Sequence, residues 1–218
     1  MSAPCRKPRV KICGVTTPAD AEAAIDAGAD ALGFNGFRGS KRYIDLAAAS
    51  DWIARLPALV TRVAVLVNPT PREALAVAAL PGIDLVQFHG DETPAFCAPF
   101  AAHGHGFIKA LAARNRETLE GATAYGTRSI LLDAFVPGAY GGTGQLIDLS
   151  LAARFIAAHP GLRVILSGGL TPENLAGAIR ATHPYAVDVA SGVESQPRRK
   201  DPSLMREFVA AAREATAP

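Results

Sequence analysis

"RVILSGGLTPENLAGAIRATHPYAVDVASG", residues 163–192, contains a whole βαβ unit. The apolar run RVIL stops at Ser-Gly-Gly, Thr171 stands at an N-cap position and Pro172 at the first helical position. An alanine-rich stretch then runs to His-Pro, and a second apolar run, AVDV, stops at Ser-Gly. Apolar run, turn, capped helix and a second apolar run is the pattern of two parallel strands joined by a crossover helix.

Outward from this unit the pattern recurs. The apolar runs are RVKICGV (9–15), ALGFNG (31–36), TRVAVLV (61–67), LVQFHG (85–90), GFIKAL (106–111), SILLDAF (129–135), RVILSGG (163–169) and AVDVASG (186–192). Each is followed by a stretch of helical character, including NRETLEGATAYG after the fifth. Most open on Asp, Thr or Asn, or carry Pro in the first turn, and most end at Gly or Pro. Eight parallel strands alternating with helices predict a (β/α)8 TIM barrel, which leaves no exposed sheet edge. An open doubly wound sheet is the competitor. Its G-x-G-x-x-G fingerprint is missing after the first strand, where GVTTPAD stands. No linker or break in composition divides the chain, so residues 1–218 read as one domain. One long glycine-rich connection, VPGAYGGTGQLID (136–148), is expected to close over a substrate.

Composition narrows the function. The 218 residues carry a formal charge of +2 from nearly balanced signs. The basic clusters RKPR (6–9) and RRK (198–200) are short and lack interleaved aromatics, which argues for solvated surface and against nucleic acid. No apolar run approaches the ~20 residues that span a bilayer, and no signal peptide is legible, so neither membrane nor export is expected. Cys5, Cys13 and Cys97 are odd in number and follow no metal-ligand spacing, which fits a reducing cytoplasm.

Active sites of such barrels lie at the C-terminal strand ends. Cys13 ends the first run, Arg38, Lys41 and Arg42 follow the second, His89 ends the fourth and Asp133 the sixth, while Asp188 lies in the eighth. Side chains alternate along a strand, so Lys11 and Cys13 share the inward face; strand 8 neighbours strand 1 in a closed barrel, which predicts a Lys11–Asp188 pair. Gly168 and Gly169, then Ser191 and Gly192, leave backbone N–H groups facing open space after strands 7 and 8, where barrels build phosphate sites. His89 lacks companion ligands, so a supporting histidine is expected and no metal. Cys97, within AFCAPF, reads as core filler.

In this order, KICGVTTPADA, ALGF…GSKRYI, VQFHGDE, LLDA…GGTGQ, LSGGLTPENL and VDVASGVES…KD resemble the phosphoribosylanthranilate isomerase family. The resemblance implies a cofactor-independent, metal-free Amadori rearrangement of N-(5'-phosphoribosyl)anthranilate in tryptophan biosynthesis, acting on a small phosphosugar as a monomer or homodimer. It places the general base on Cys13, the general acid on Asp133, the anthranilate-binding arginine on Arg42 and the sugar-binding aspartate on Asp188; His89, from its place at the end of the fourth run, is expected beside the substrate. The chain departs from the family pattern at several loop positions; among them, Arg198 replaces a usual glycine. Two other readings compete. Indole-glycerol-phosphate synthase uses lysines at early strand ends, which are missing here, and a phosphosugar-binding barrel without turnover has no need of an acid and a base.

Overall fold

The structure is a computed structural model and describes residues 7–134 and 145–215. Its sheet is a closed barrel of eight parallel strands in sequence order: β1 (Arg9–Cys13), β2 (Ala31–Asn35), β3 (Thr61–Leu66), β4 (Leu85–Phe88), β5 (Phe107–Ala112), β6 (Ser129–Asp133), β7 (Arg163–Leu166) and β8 (Ala186–Val189). The barrel shuts where β1 pairs β8, with Lys11 opposite Asp188. All eight predicted runs contain a strand; the sheet stops short of the terminal Gly, His or Ser residues, which turn into the loops.

Seven α-helices lie among the described residues: α1 (Pro18–Ala27), α2 (Leu46–Ala54), α3 (Pro71–Ala78), α4 (Pro94–Ala102), α5 (Leu149–Ala158), α6 (Pro172–Thr182) and α7 (Pro202–Glu214). Their starts are chemically marked. Thr17, Thr70 and Thr93 accept the N–H three residues on, while Asp45, Asp148 and Asp201 cap α2, α5 and α7; each cap is worth ~1 kcal/mol. Proline fills the first helical position of α1, α3, α4, α6 and α7, where its missing N–H has no partner to lose.

The helix expected after β5 does not form. NRETLEGATAYG folds instead as two single 3₁₀ turns, Glu117–Leu119 and Ala122–Tyr125. Gly121 interrupts the segment, and the Asn115 side chain accepts the Thr118 N–H, offering the backbone an alternative to helical bonds. Sequence alternation also misses a small antiparallel hairpin after β8, β9 (Glu194–Gln196) with β10 (Arg199–Lys200).

Strand alternation separates two apolar cores. Val10, Ile12, Val86, Phe88, Ile130, Leu132, Val187 and Val189 point outward into the layer between sheet and helices. Phe88 packs there against Phe96 and Phe100 at ring-centroid distances of 5.3 and 5.0 Å, in edge-on contacts worth ~0.5–1.5 kcal/mol each. Val63, Ile108, Ala110, Leu131, Ile165 and Ala186 fill the barrel interior. One step further along the same inward faces come Cys13, Asp133 and Asp188, so the polar layer stands on a plug of oil.

Candidate active site

Asp133 is buried at the end of β6. Its Oδ1 accepts the Ala134 N–H at 2.9 Å, and its Oδ2 lies 3.2 Å from His89 Nε2. The other ring nitrogen of His89 faces the Gln87 side-chain nitrogen at 2.8 Å. His89 is thus held between the Gln87 amide on one ring nitrogen and the Asp133 carboxyl on the other. The structure places His89 against the Asp133 carboxyl.

Across the mouth, Cys13 ends β1. Lys11 sits one layer below it and reaches Asp188 Oδ1 at 2.7 Å, as predicted. Asp188 Oδ2 also accepts the Ser167 hydroxyl at 3.3 Å. Burial raises the Cys13 thiol above its ordinary pKa; Lys11 and Lys200 pull it back, while Asp188 pushes it up. Cys97, with 0% exposure inside α4, is lifted to about 11 by burial, and is inert core as expected.

Arg42 lies over the residue that follows the thiol. Gly14 has φ +74°, and a side chain there would run into the aliphatic stem of Arg42, so glycine is required on both counts. The guanidinium grips Glu194 through Nε at 2.7 Å and Nη2 at 2.6 Å. Nη1 is the edge this carboxylate does not take. Glu194 also accepts Lys200 Nζ at 3.1 Å, and Lys200 donates to the Ala190 carbonyl at 2.8 Å. This corrects the reading of RRK as solvated surface: Arg198 and Arg199 are exposed, but Lys200 is only 3% exposed, because β10 turns it inward to Glu194. Arg198 has φ +74°, which is why glycine suits that corner.

A single hollow is lined by Asp133, Ser167, Gly168, Gly169, Asp188, Ala190, Ser191 and Gly192. The structure therefore brings both aspartates and both glycine turns together. Gly168 and Gly169 have φ of +90° and +62°, and Asn174 in the first turn of α6 holds the Gly169 carbonyl at 2.9 Å. The hollow adjoins the N-terminus of α6, a place suited to an anion.

Sequence reading missed Glu194, whose partner Arg42 is remote in the chain, Lys200, which the β9–β10 hairpin folds back onto Glu194, and also Glu92. Lys109 points out of the barrel and donates to Glu92 at 2.7 Å and the Gly90 carbonyl at 2.7 Å. Glu92 also accepts the N–H groups of Asn68 and Gly90, pinning the loop that carries His89. The acidic pair in HGDE was the available signal. Most of the expected lid, residues 136–144, lies outside the described residues. Among the described residues no group of three or more His, Cys, Asp or Glu is placed to hold a metal ion, and no helix is long and apolar enough to cross a membrane.

Fold and site together define a class: a (β/α)8 barrel with titratable groups and an anion-suited hollow at the C-terminal strand ends. The sequence model of N-(5'-phosphoribosyl)anthranilate (PRA) isomerase matches residues 10–211. An N-(5'-phosphoribosyl)anthranilate isomerase of Pelobacter propionicus is 43% identical over 206 residues, 94% of this chain and 96% of the relative. The crystal structure of phosphoribosyl anthranilate isomerase from Thermotoga maritima superposes with a TM-score of 0.85 at 39% identity, covering 95% of this chain and 99% of that one. A phosphoribosyl anthranilate isomerase in complex with reduced 1-(o-carboxyphenylamino)-1-deoxyribulose 5-phosphate gives 0.81 at 37% identity, with the same coverage. This chain belongs to the N-(5'-phosphoribosyl)anthranilate isomerase family.

Proposed function

We propose that this barrel isomerises N-(5'-phosphoribosyl)anthranilate to 1-(2-carboxyphenylamino)-1-deoxyribulose 5-phosphate, the Amadori step of tryptophan biosynthesis, with Asp133 as general acid and Cys13 as general base. The supporting observation is the shared hollow, which sets Asp133 and Asp188 beside both glycine turns, with Lys11 linking Asp188 to the strand that carries Cys13.

The substrate phosphate seats on the N–H groups of Gly168, Gly169, Ser191 and Gly192. Asp188 accepts from the sugar hydroxyls, and the Nη1 edge of Arg42, held by Glu194, takes the anthranilate carboxylate. Asp133 protonates the ring oxygen as the C1'–O bond breaks, and the anthranilate nitrogen lone pair forms the Schiff base. Cys13 as thiolate then takes the C2' proton, and the freed pair makes the enolamine, which tautomerises to the ketone. The thiolate is a minor form of a raised thiol, and its reactivity compensates for its scarcity. No step requires a cofactor or a metal. The enzyme works as a single-domain barrel, monomer or homodimer, since each group named here comes from one chain. Free thiols at Cys13 and Cys97 suit the cytoplasm.

The test is direct. Phosphoribosylanthranilate generated in place should lose its fluorescence on adding the protein, equally after chelator treatment. An unchanged signal refutes the activity; loss on chelation with recovery on zinc or manganese refutes the metal-free mechanism.

The phosphate seat is tested separately. Inorganic phosphate should compete with substrate, and Ser191→Glu, which sets a negative charge at the hollow, should raise KM about tenfold or more with kcat changed far less. Non-competitive phosphate and an unmoved KM would contradict the seat. Glycine variants are poorer probes, because a Cβ on Gly169 would come within 2.5 Å of the Gln145 backbone.

A further inference from the structure

We infer that Lys11 sets the strength of Cys13 as a base, dividing its ammonium between the Cys13 sulfur and Asp188. The inference rests on the proposed role of Cys13 and assigns Lys11 a positioning task that the pairing with Asp188 alone does not require.

Geometry carries the argument. Lys11 and Cys13 stand on one inward face of β1, and both reach over Gly33 of the neighbouring strand. A Cβ on Gly33 would lie 2.6 Å from the Cys13 sulfur and 3.1 Å from Lys11 Nζ. Both atoms therefore occupy the space a side chain on β2 would fill, which sets the ammonium and the sulfur side by side. The Lys11 side chain is 4% exposed, so little water screens the contact. Burial alone would lower the Lys11 pKa, but Asp188 and Cys13 reverse this and keep it charged.

The charge around the thiol points the same way. Lys11 on β1, Arg42 after β2 and Lys200 on β10 are cations; Asp188 on β8 and Glu194 on β9 are their carboxylates. Three cations face two anions, and a Cys13 thiolate balances the one left over. Arg42 and Lys200 are both tied to Glu194, so Lys11 is the cation whose partner, Asp188, lines the hollow. A substrate hydroxyl that engages Asp188 weakens its hold on the ammonium, leaving more of Lys11 for the sulfur at the moment a base is needed.

The experiment reads the thiol and not turnover. Iodoacetamide alkylation of the Cys13 peptide, resolved from Cys5 and Cys97 by mass spectrometry, gives the Cys13 titration between about pH 6 and pH 10. Lys11→Met alone strands Asp188 in the interior, so the comparison is built on Asp188→Asn, which keeps an acceptor for Lys11. Asp188→Asn should lower the Cys13 pKa. Adding Lys11→Met should raise it again by about one unit or more, roughly tenfold less thiolate at a fixed pH below the titration. Equal titrations with and without Lys11→Met overturn the inference, whatever Cys13→Ala does to turnover. A Cys13→Ala variant with near wild-type kcat overturns the base assignment instead, a distinct result.

Discussion

Cys13→Ala and Asp133→Asn should each lower kcat by ~10²- to 10⁴-fold, the usual contribution of a positioned acid or base. A product analogue should still bind at near wild-type affinity, because neither side chain holds the phosphate or anthranilate end. Asp133→Asn keeps the acceptor for the Ala134 N–H, so that loop contact is retained while proton donation by the carboxyl is lost. Cys97→Ala is the control. It removes a fully buried side chain and costs stability, yet leaves kcat within a few-fold. Steady-state kinetics with analogue titration decide the matter; near wild-type kcat in Cys13→Ala would make the thiol core filler.

Lys109→Met should destabilise the fold by ~3–5 kcal/mol, because Glu92 stays behind as an unpaired charge in a site only 5% exposed. In a chain of this size that lowers Tm by on the order of 10 °C. The double variant Lys109→Met/Glu92→Gln leaves no stranded charge and should recover part of the loss. Urea unfolding of the three proteins tests this; a double variant no better than Lys109→Met would show that the hydrogen bonds of Glu92 to the Asn68 and Gly90 backbone matter more than the charge.

What sequence revealed followed from local periodicity. Runs of Val, Ile and Leu located all eight strands, and Thr171-Pro172 marked the start of α6. Period-two alternation combined with barrel closure was enough to pair Lys11 with Asp188 across 177 residues. The Arg42–Glu194 pair, separated by 152 residues, lies between loops and hairpin, where no period relates the partners, and it could not be read. Lys200 was misjudged because a cluster of three basic residues looks the same whether or not its last member turns inward. The absent helix after β5 was a failure of a different kind: NRETLEGATAYG has helical composition on either side of Gly121, but neither half is long enough to sustain a helix.

The Lys11–Asp188 pair also acts on the folding chain. A parallel barrel has many near-equivalent ways to close, since sliding β1 against β8 by one residue still aligns backbone donors with acceptors and presents Val10 or Ile12 to the seam. In such a slipped barrel Lys11 would turn toward the helices and Asp188 would face an aliphatic chain, leaving two charges in oil without partners. Only the native closure satisfies both. The Lys11–Asp188 pair therefore also proofreads the seam, rejecting slipped closures that apolar packing alone distinguishes least.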